Sequence, residues 1–100
     1  MARFANSVRF HVKEGHREEF IERIKGWPLP RGVLQHILVE TGDSHFCTFA
    51  TWESEQHLID ARPAMIALLD GARHMLHELS PELGVTDPVS GAVLFAGTGG

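Results

Sequence analysis

Several things are scarce or missing in this chain, and each absence closes a class of function. Cysteine occurs once, at Cys47, so no internal disulfide is possible. Basic residues never run together: nine Lys and Arg are scattered among thirteen Asp and Glu, for a net charge of −4. Nucleic-acid binding wants a clustered basic footprint, so no nucleic-acid partner is expected. No apolar run approaches the ~20 residues of a membrane span. The opening MARFANSV lacks the charged, apolar and small-residue order of a signal peptide. A cytoplasmic location without a membrane partner is the simplest expectation. The common catalytic signatures are missing too. No Ser-His-Asp arrangement can be placed, and the GTGG at 97–100 has no helix behind it to cradle a phosphate. The segment HMLHE at 74–78 is not an HExxH zinc motif.

What is present is an ordinary globular composition. One hundred residues, 43% apolar and 22% charged, suit a single domain over 1–100 with its core at about 5–97. A chain this short buries a modest fraction of its surface, and oligomerisation would help it.

The stretch HFCTFATWESEQHLIDARP, residues 45–63, organises the rest. Phe46, Phe49 and Trp52 with Thr48 and Thr51 favour an extended strand. Ser54 can cap a following helix, because the first helical N–H groups have no partners of their own. Upstream, residues 4–13 alternate, with Val8, Phe10 and Val12 on one side and Arg9, His11 and Lys13 on the other, which predicts a first strand. Gly15 is then expected as N-cap of a helix over about 16–25, with Phe20, Ile21 and Ile24 as its apolar stripe and a Glu19–Arg23 pair across one turn. Gly26 suits the left-handed position after that helix.

GWPLPRG, residues 26–32, is a rigid loop, and VLQHILVE at 33–40 is a second strand. TGDS at 41–44 turns it into the third strand as a hairpin. A short helix at about 55–61, a bend at Pro63 and a main helix over about 64–79 follow, the last with Met65, Leu68, Leu69, Ala72, Met75, Leu76 and Leu79 on one side. GAVLFAG at 91–97 is expected as the fourth strand.

The order βαββαβ predicts an α+β, ferredoxin-like antiparallel sheet with both helices on one face. Strands two and three are apolar on both faces: Val33, Ile37 and Val39 alternate with Leu34 and Leu38, and Phe46 and Trp52 alternate with Cys47 and Phe49. Such sheets are usually covered on both sides. A second copy of the chain is the economical cover, so a homodimer packed sheet on sheet is expected.

With VRFHVKEGHREEF near the start, FATWES leading into a helix, and ELGVTDPVSG leading to the last strand, the chain resembles the antibiotic biosynthesis monooxygenase-type family. The resemblance implies a dimeric α+β barrel with a pocket between sheet and helices in each subunit. Family members include cofactor-independent oxygenases acting on polyphenolic quinone precursors, haem-degrading enzymes, and proteins with no established reaction. Trp52 matches the pocket tryptophan of the quinone-forming members. Their asparagine four residues earlier is Thr48 here, which keeps a hydroxyl and loses an amide donor. The haem-degrading pattern matches poorly: Val8 stands at its strand asparagine, Ala61 near its helix tryptophan, and His74 lies three residues past its iron-ligating histidine. No cofactor or metal is therefore expected.

Each candidate residue has a plainer reading beside the chemical one. Trp52 could stack a flat aromatic ligand, or simply close the end of the core. His36 could take a phenolic proton as general base, but the face it occupies is open. Arg73 could hold an enolate oxygen, or pair with Asp70 or Glu78. His77 flanks the apolar stripe and could reach a pocket rim, while His74 lies opposite and faces solvent. Cys47 reads as a buried, inert thiol. The leading expectation is a dimeric monooxygenase acting on a small aromatic or polyketide-like phenol. His36, Trp52 and Arg73 would be its catalytic residues, and Phe20, Thr48, Met65 and His77 its substrate-binding residues. A non-catalytic ligand-binding or stress-responsive dimer is the alternative, and an isomerase or cyclase on the same scaffold is a third.

Overall fold

The structure, a computed structural model, describes residues 3–99. Its elements are β1 (Phe4–His11), α1 (Arg17–Lys25), β2 (Val33–Gly42), β3 (His45–Trp52), α2 (Glu55–Asp70), a single 3-10 turn (Arg73–Met75) and β4 (Asp87–Ala92). The four strands form one antiparallel sheet in the order β2-β3-β1-β4. This is the ferredoxin-like α+β arrangement expected from the element order.

The hairpin between β2 and β3 closes tightly at Asp43 and Ser44, with Ser44 at φ 62° and Gly42 opposite His45. Ser54 caps α2 as its hydroxyl allows: Oγ accepts from the His57 backbone N–H at 3.4 Å and lies 2.7 Å from His57 Nδ1. At α1 the cap is His16, without a side-chain bond, and Gly15 stands one residue earlier with φ 85°. Gly26 is right-handed at φ −83°, with its own N–H bonded to the Glu22 carbonyl and the Trp27 N–H to that of Ile24, so the left-handed exit expected there is not needed. The expected Glu19–Arg23 pair does not form. Glu19 bonds His16 and His74, while Arg23 Nε donates to the Leu68 carbonyl at 3.2 Å and ties α1 to α2.

Three boundaries differ from the sequence expectation. First, α2 is one helix that continues through Pro63. Second, it ends at Asp70, not Leu79. Ala72, Met75 and Leu76 are buried as their spacing suggested, but they reach the core through the 3-10 turn and an extended segment: Val12 bridges Leu76, and the His77 N–H donates to the His11 carbonyl at 2.8 Å. The end of β1 thus captures this segment and overrides helical spacing. Third, β4 lies at Asp87–Ala92, earlier than the expected 91–97. An edge strand tolerates Pro88, and Asp87 makes an ion pair with Arg9 on β1. Because β1 begins at Phe4, opposite Ala92, little of β1 is left for residues 94–97 to pair with.

The helix-side face of the sheet carries Asn6, Val8 and Phe10, Phe46, Thr48, Ala50 and Trp52, and His36 and Leu38, all mutually in register. Val33 joins them opposite Trp52, because Leu34 is an extra residue in a bulge and shifts the alternation expected for β2. The core is split in two. Val12, Phe20, Ile24, Phe46, Ala72, Met75 and Leu76 form one buried cluster. Ala50, Trp52, Leu58 and Ala61 form the other.

Candidate functional site

A cavity of about 470 Å³ touches both halves of this split core, with Phe20, Ile24 and Ala72 at one end and Ala50, Trp52 and Leu58 at the other. Its walls are mostly apolar. The polar groups reaching it include Asn6, His36, Thr48, Arg62 and Ser90. That mixture, an apolar chamber with a few placed polar groups, is the usual form of a small-ligand site.

Five of the seven residues singled out in the sequence line this cavity: His36, Trp52, Phe20, Thr48 and Met65. Strand register brings the strand residues together, since His36 pairs with Ala50 on β3 and Thr48 lies one pleat along the same face. The question left open for His36 has an answer: it faces the helices, with its ring edge-on to Trp27 at 5.4 Å between centroids. Burial among these apolar groups holds its pKa below the ordinary 6.5, so the imidazole is neutral at pH 7.

Arg73 and His77 lie elsewhere. The 3-10 turn places Arg73 at the surface, where its Nε donates to Asp70 Oδ1 at 2.8 Å. His77 follows the extended segment beside β1 and packs against His11, ring centroids 4.5 Å apart, while His11 stacks on His45 at 4.1 Å. The expected enolate contact of Arg73 and rim position of His77 both need α2 to run to Leu79, and it ends at Asp70. Cys47 is buried on the other face of the sheet, its Sγ 3.1 Å from Ser7 Oγ. Away from the cavity, His16, Glu19 and His74 bring three possible metal-ligand atoms within 4.8 Å of one another at the surface. They are joined by hydrogen bonds that hold the Glu19 carboxyl below its usual range.

Asn6 and Arg62 are the residues that sequence reasoning missed. The Trp52 indole Nε1–H donates to Asn6 Oδ1 at 2.8 Å. An indole can only donate, so this bond fixes the orientation of the amide. Among the described residues the Asn6 NH₂ has no hydrogen-bond partner. Asn6 is paired with Ala50 and lies diagonal to Thr48 on the same face. An amide donor is therefore present at this wall, supplied by β1 in place of the missing asparagine at 48. The strand asparagine of the haem-degrading pattern aligns with Val8, two residues along the same face from Asn6. Arg62 had its own signal: Leu58, Arg62, Met65 and Leu69 recur at helical spacing, which puts an arginine inside an apolar stripe.

No protein-family model matches the sequence, and no curated protein does. Solved structures share the fold. A putative antibiotic biosynthesis monooxygenase from Chloroflexus aurantiacus J-10-fl superposes with a TM-score of 0.74 at 10% identity, covering 97% of this chain and 98% of that one. SnoaB, a cofactor-independent oxygenase from Streptomyces nogalater, gives 0.70 at 14% identity, covering 96% and 97%. A dimeric ferredoxin-like protein from an uncultured marine organism gives 0.73 at 11% identity, covering 100% and 95%. Proteins of unknown function share it as well. The chain thus has the ferredoxin-like α+β fold found in structures of antibiotic biosynthesis monooxygenase-type and dimeric ferredoxin-like proteins.

Proposed function

We propose that the protein is a homodimeric, cofactor-independent monooxygenase that oxidises a small hydroxylated aromatic compound with O₂ in the cavity between sheet and helices. The observation that carries this reading is a neutral histidine, His36, in an apolar chamber that also holds Trp52 and the Asn6 amide.

Each residue has a chemical task. The Trp52 and Phe20 rings offer flat apolar walls for an aromatic ring. Neutral His36 accepts the phenolic proton, leaving an anion with charge delocalised onto a ring carbon. That carbon gives up electrons to O₂ and forms a C–O bond, so the substrate is the reductant and O₂ the oxidant. The Asn6 NH₂ and Thr48 hydroxyl are available to donate to the resulting peroxide oxygen. Transfer of the carbon-bound proton to the outer peroxide oxygen then breaks the O–O bond, the C–H electron pair becoming the second bond of the carbonyl. One oxygen stays as a quinone carbonyl, and the other leaves as hydroxide, which regains the proton from His36 as water.

The test is oxygen uptake by the purified protein with a panel of fused-ring phenols, followed by quinone absorbance. His36→Ala should abolish uptake and leave ligand affinity within about twofold, because a general base contributes to rate far more than to binding. The replacement of an asparagine by Thr48 favours a second reading, a non-catalytic aromatic-binding protein. Tight binding without oxygen uptake in the native protein would select it, and turnover without O₂ would select an isomerase or cyclase.

A further inference from the structure

The chain carries thirteen carboxylate side chains and nine basic ones, yet none of the residues lining the cavity is Asp or Glu. One of them is an arginine. Arg62 is an exposed residue that also contributes to the cavity wall, so it stands where the chamber meets solvent. Its place in α2 is the middle of the inward stripe: Leu58 one turn before it and Met65 and Leu69 after it also line the chamber. A stripe position of this kind would ordinarily be apolar. Among the described residues Arg62 makes no ion pair, in contrast to Arg9, Arg17 and Arg73, each of which holds a carboxylate. A guanidinium keeps its charge at all physiological pH and presents a planar fork suited to a carboxylate.

We infer that the cavity selects an aromatic anion, a fused-ring compound bearing a carboxylate, and that Arg62 binds this carboxylate at the chamber entrance. The inference rests on the reading of the chamber as an aromatic site, and it narrows the substrate class to hydroxylated aromatic acids. The apolar walls take the ring system, and the single unopposed cation fixes which end faces solvent. A neutral phenol would lose that anchor. An aromatic amine would gain nothing from a chamber without a carboxylate.

A matched pair of probes tests this by calorimetry at neutral pH: 2-naphthoate, which is ionised, and 2-naphthol, whose phenol stays protonated there. The native protein should bind naphthoate roughly tenfold or more tightly than naphthol, as expected for a charge-assisted hydrogen bond. Arg62→Met, which keeps length and helix preference, should remove that advantage and leave naphthol affinity unchanged. Arg62→Lys should restore part of it, since the point charge remains and the fork is lost. Circular dichroism of each variant confirms folding. Equal affinity for the two probes, unchanged by Arg62→Met, would overturn the role of Arg62 and leave the aromatic chamber standing. Binding of neither probe would overturn the aromatic chamber itself, and this inference with it.

Discussion

At the scale of single residues, the proposed chemistry depends on how three side chains are held. Burial holds the His36 pKa below 6.5, so its base form predominates at pH 7. The pH profile of kcat/KM for oxygen uptake should therefore be flat through neutrality, with its acidic limb falling below 6.5. A limb above 6.5 would mean that another group, or a charged His36, controls the rate. Trp52 and Asn6 hold one another. Trp52 is almost wholly buried, and its indole is the only described partner of the Asn6 oxygen. Trp52→Phe should cost about 1–3 kcal/mol in urea denaturation, from lost packing and an unpaired amide oxygen. Asn6→Ala should then cost less in the Trp52→Phe background than in the native protein. Additive costs would show that the bond does not link the two walls.

At the scale of elements, α2 is positioned by its first turn. Ser54 is buried, binds the His57 backbone and side chain, and follows Trp52 by two residues, so one cap fixes both the helix and the end of β3. Ser54→Ala should destabilise the fold by about 1 kcal/mol, read as a lower urea midpoint with an unchanged slope. An unchanged midpoint would mean that the helix start is held elsewhere. This cap was legible in the sequence because a hydroxyl before a helix acts locally. The hairpin was legible for a related reason, since turn chemistry is local, and helical spacing put Phe20 and Met65 on inward stripes. The face of His36 was not legible, because the Leu34 bulge shifts the alternation of β2. The end of α2 was not. Met75 and Leu76 satisfy helical spacing and burial at once, but the backbone that buries them is bridged to Val12, sixty-four residues earlier in the chain. No local pattern reports such a partner. The same holds for Asn6, whose role comes from an indole on a neighbouring strand, and for β4, whose DPVSG reads as loop until Arg9 and the edge of β1 are placed beside it.

At the scale of the whole molecule, the sheet face away from the helices bears on assembly. Strand register lines up Ile37, Phe49, Ser7 and Val89 in one row across all four strands. Ile37, Phe49 and Val89 are 41%, 44% and 62% exposed, a contiguous apolar band with only the small Ser7 interrupting it. Beyond β4, Leu94 and Phe95 are 96% and 87% exposed. An exposed apolar band of this kind is the usual form of a protein–protein contact surface. An identical sheet approaching about a two-fold axis would pair the band with itself, the self-complementary contact of a symmetric dimer. Light scattering at micromolar concentration should then give about twice the chain mass of 11.1 kDa. Phe49→Glu puts a charge at the centre of the band and should return the mass to that of one chain, because burying an unpaired carboxylate in the contact is prohibitive. Phe49 does not line the cavity, so a monomeric Phe49→Glu variant should still bind naphthoate. Its loss of binding would tie the chamber to the dimer. A native protein that runs as a monomer would instead leave the band without its second copy and remove the sheet-on-sheet assembly.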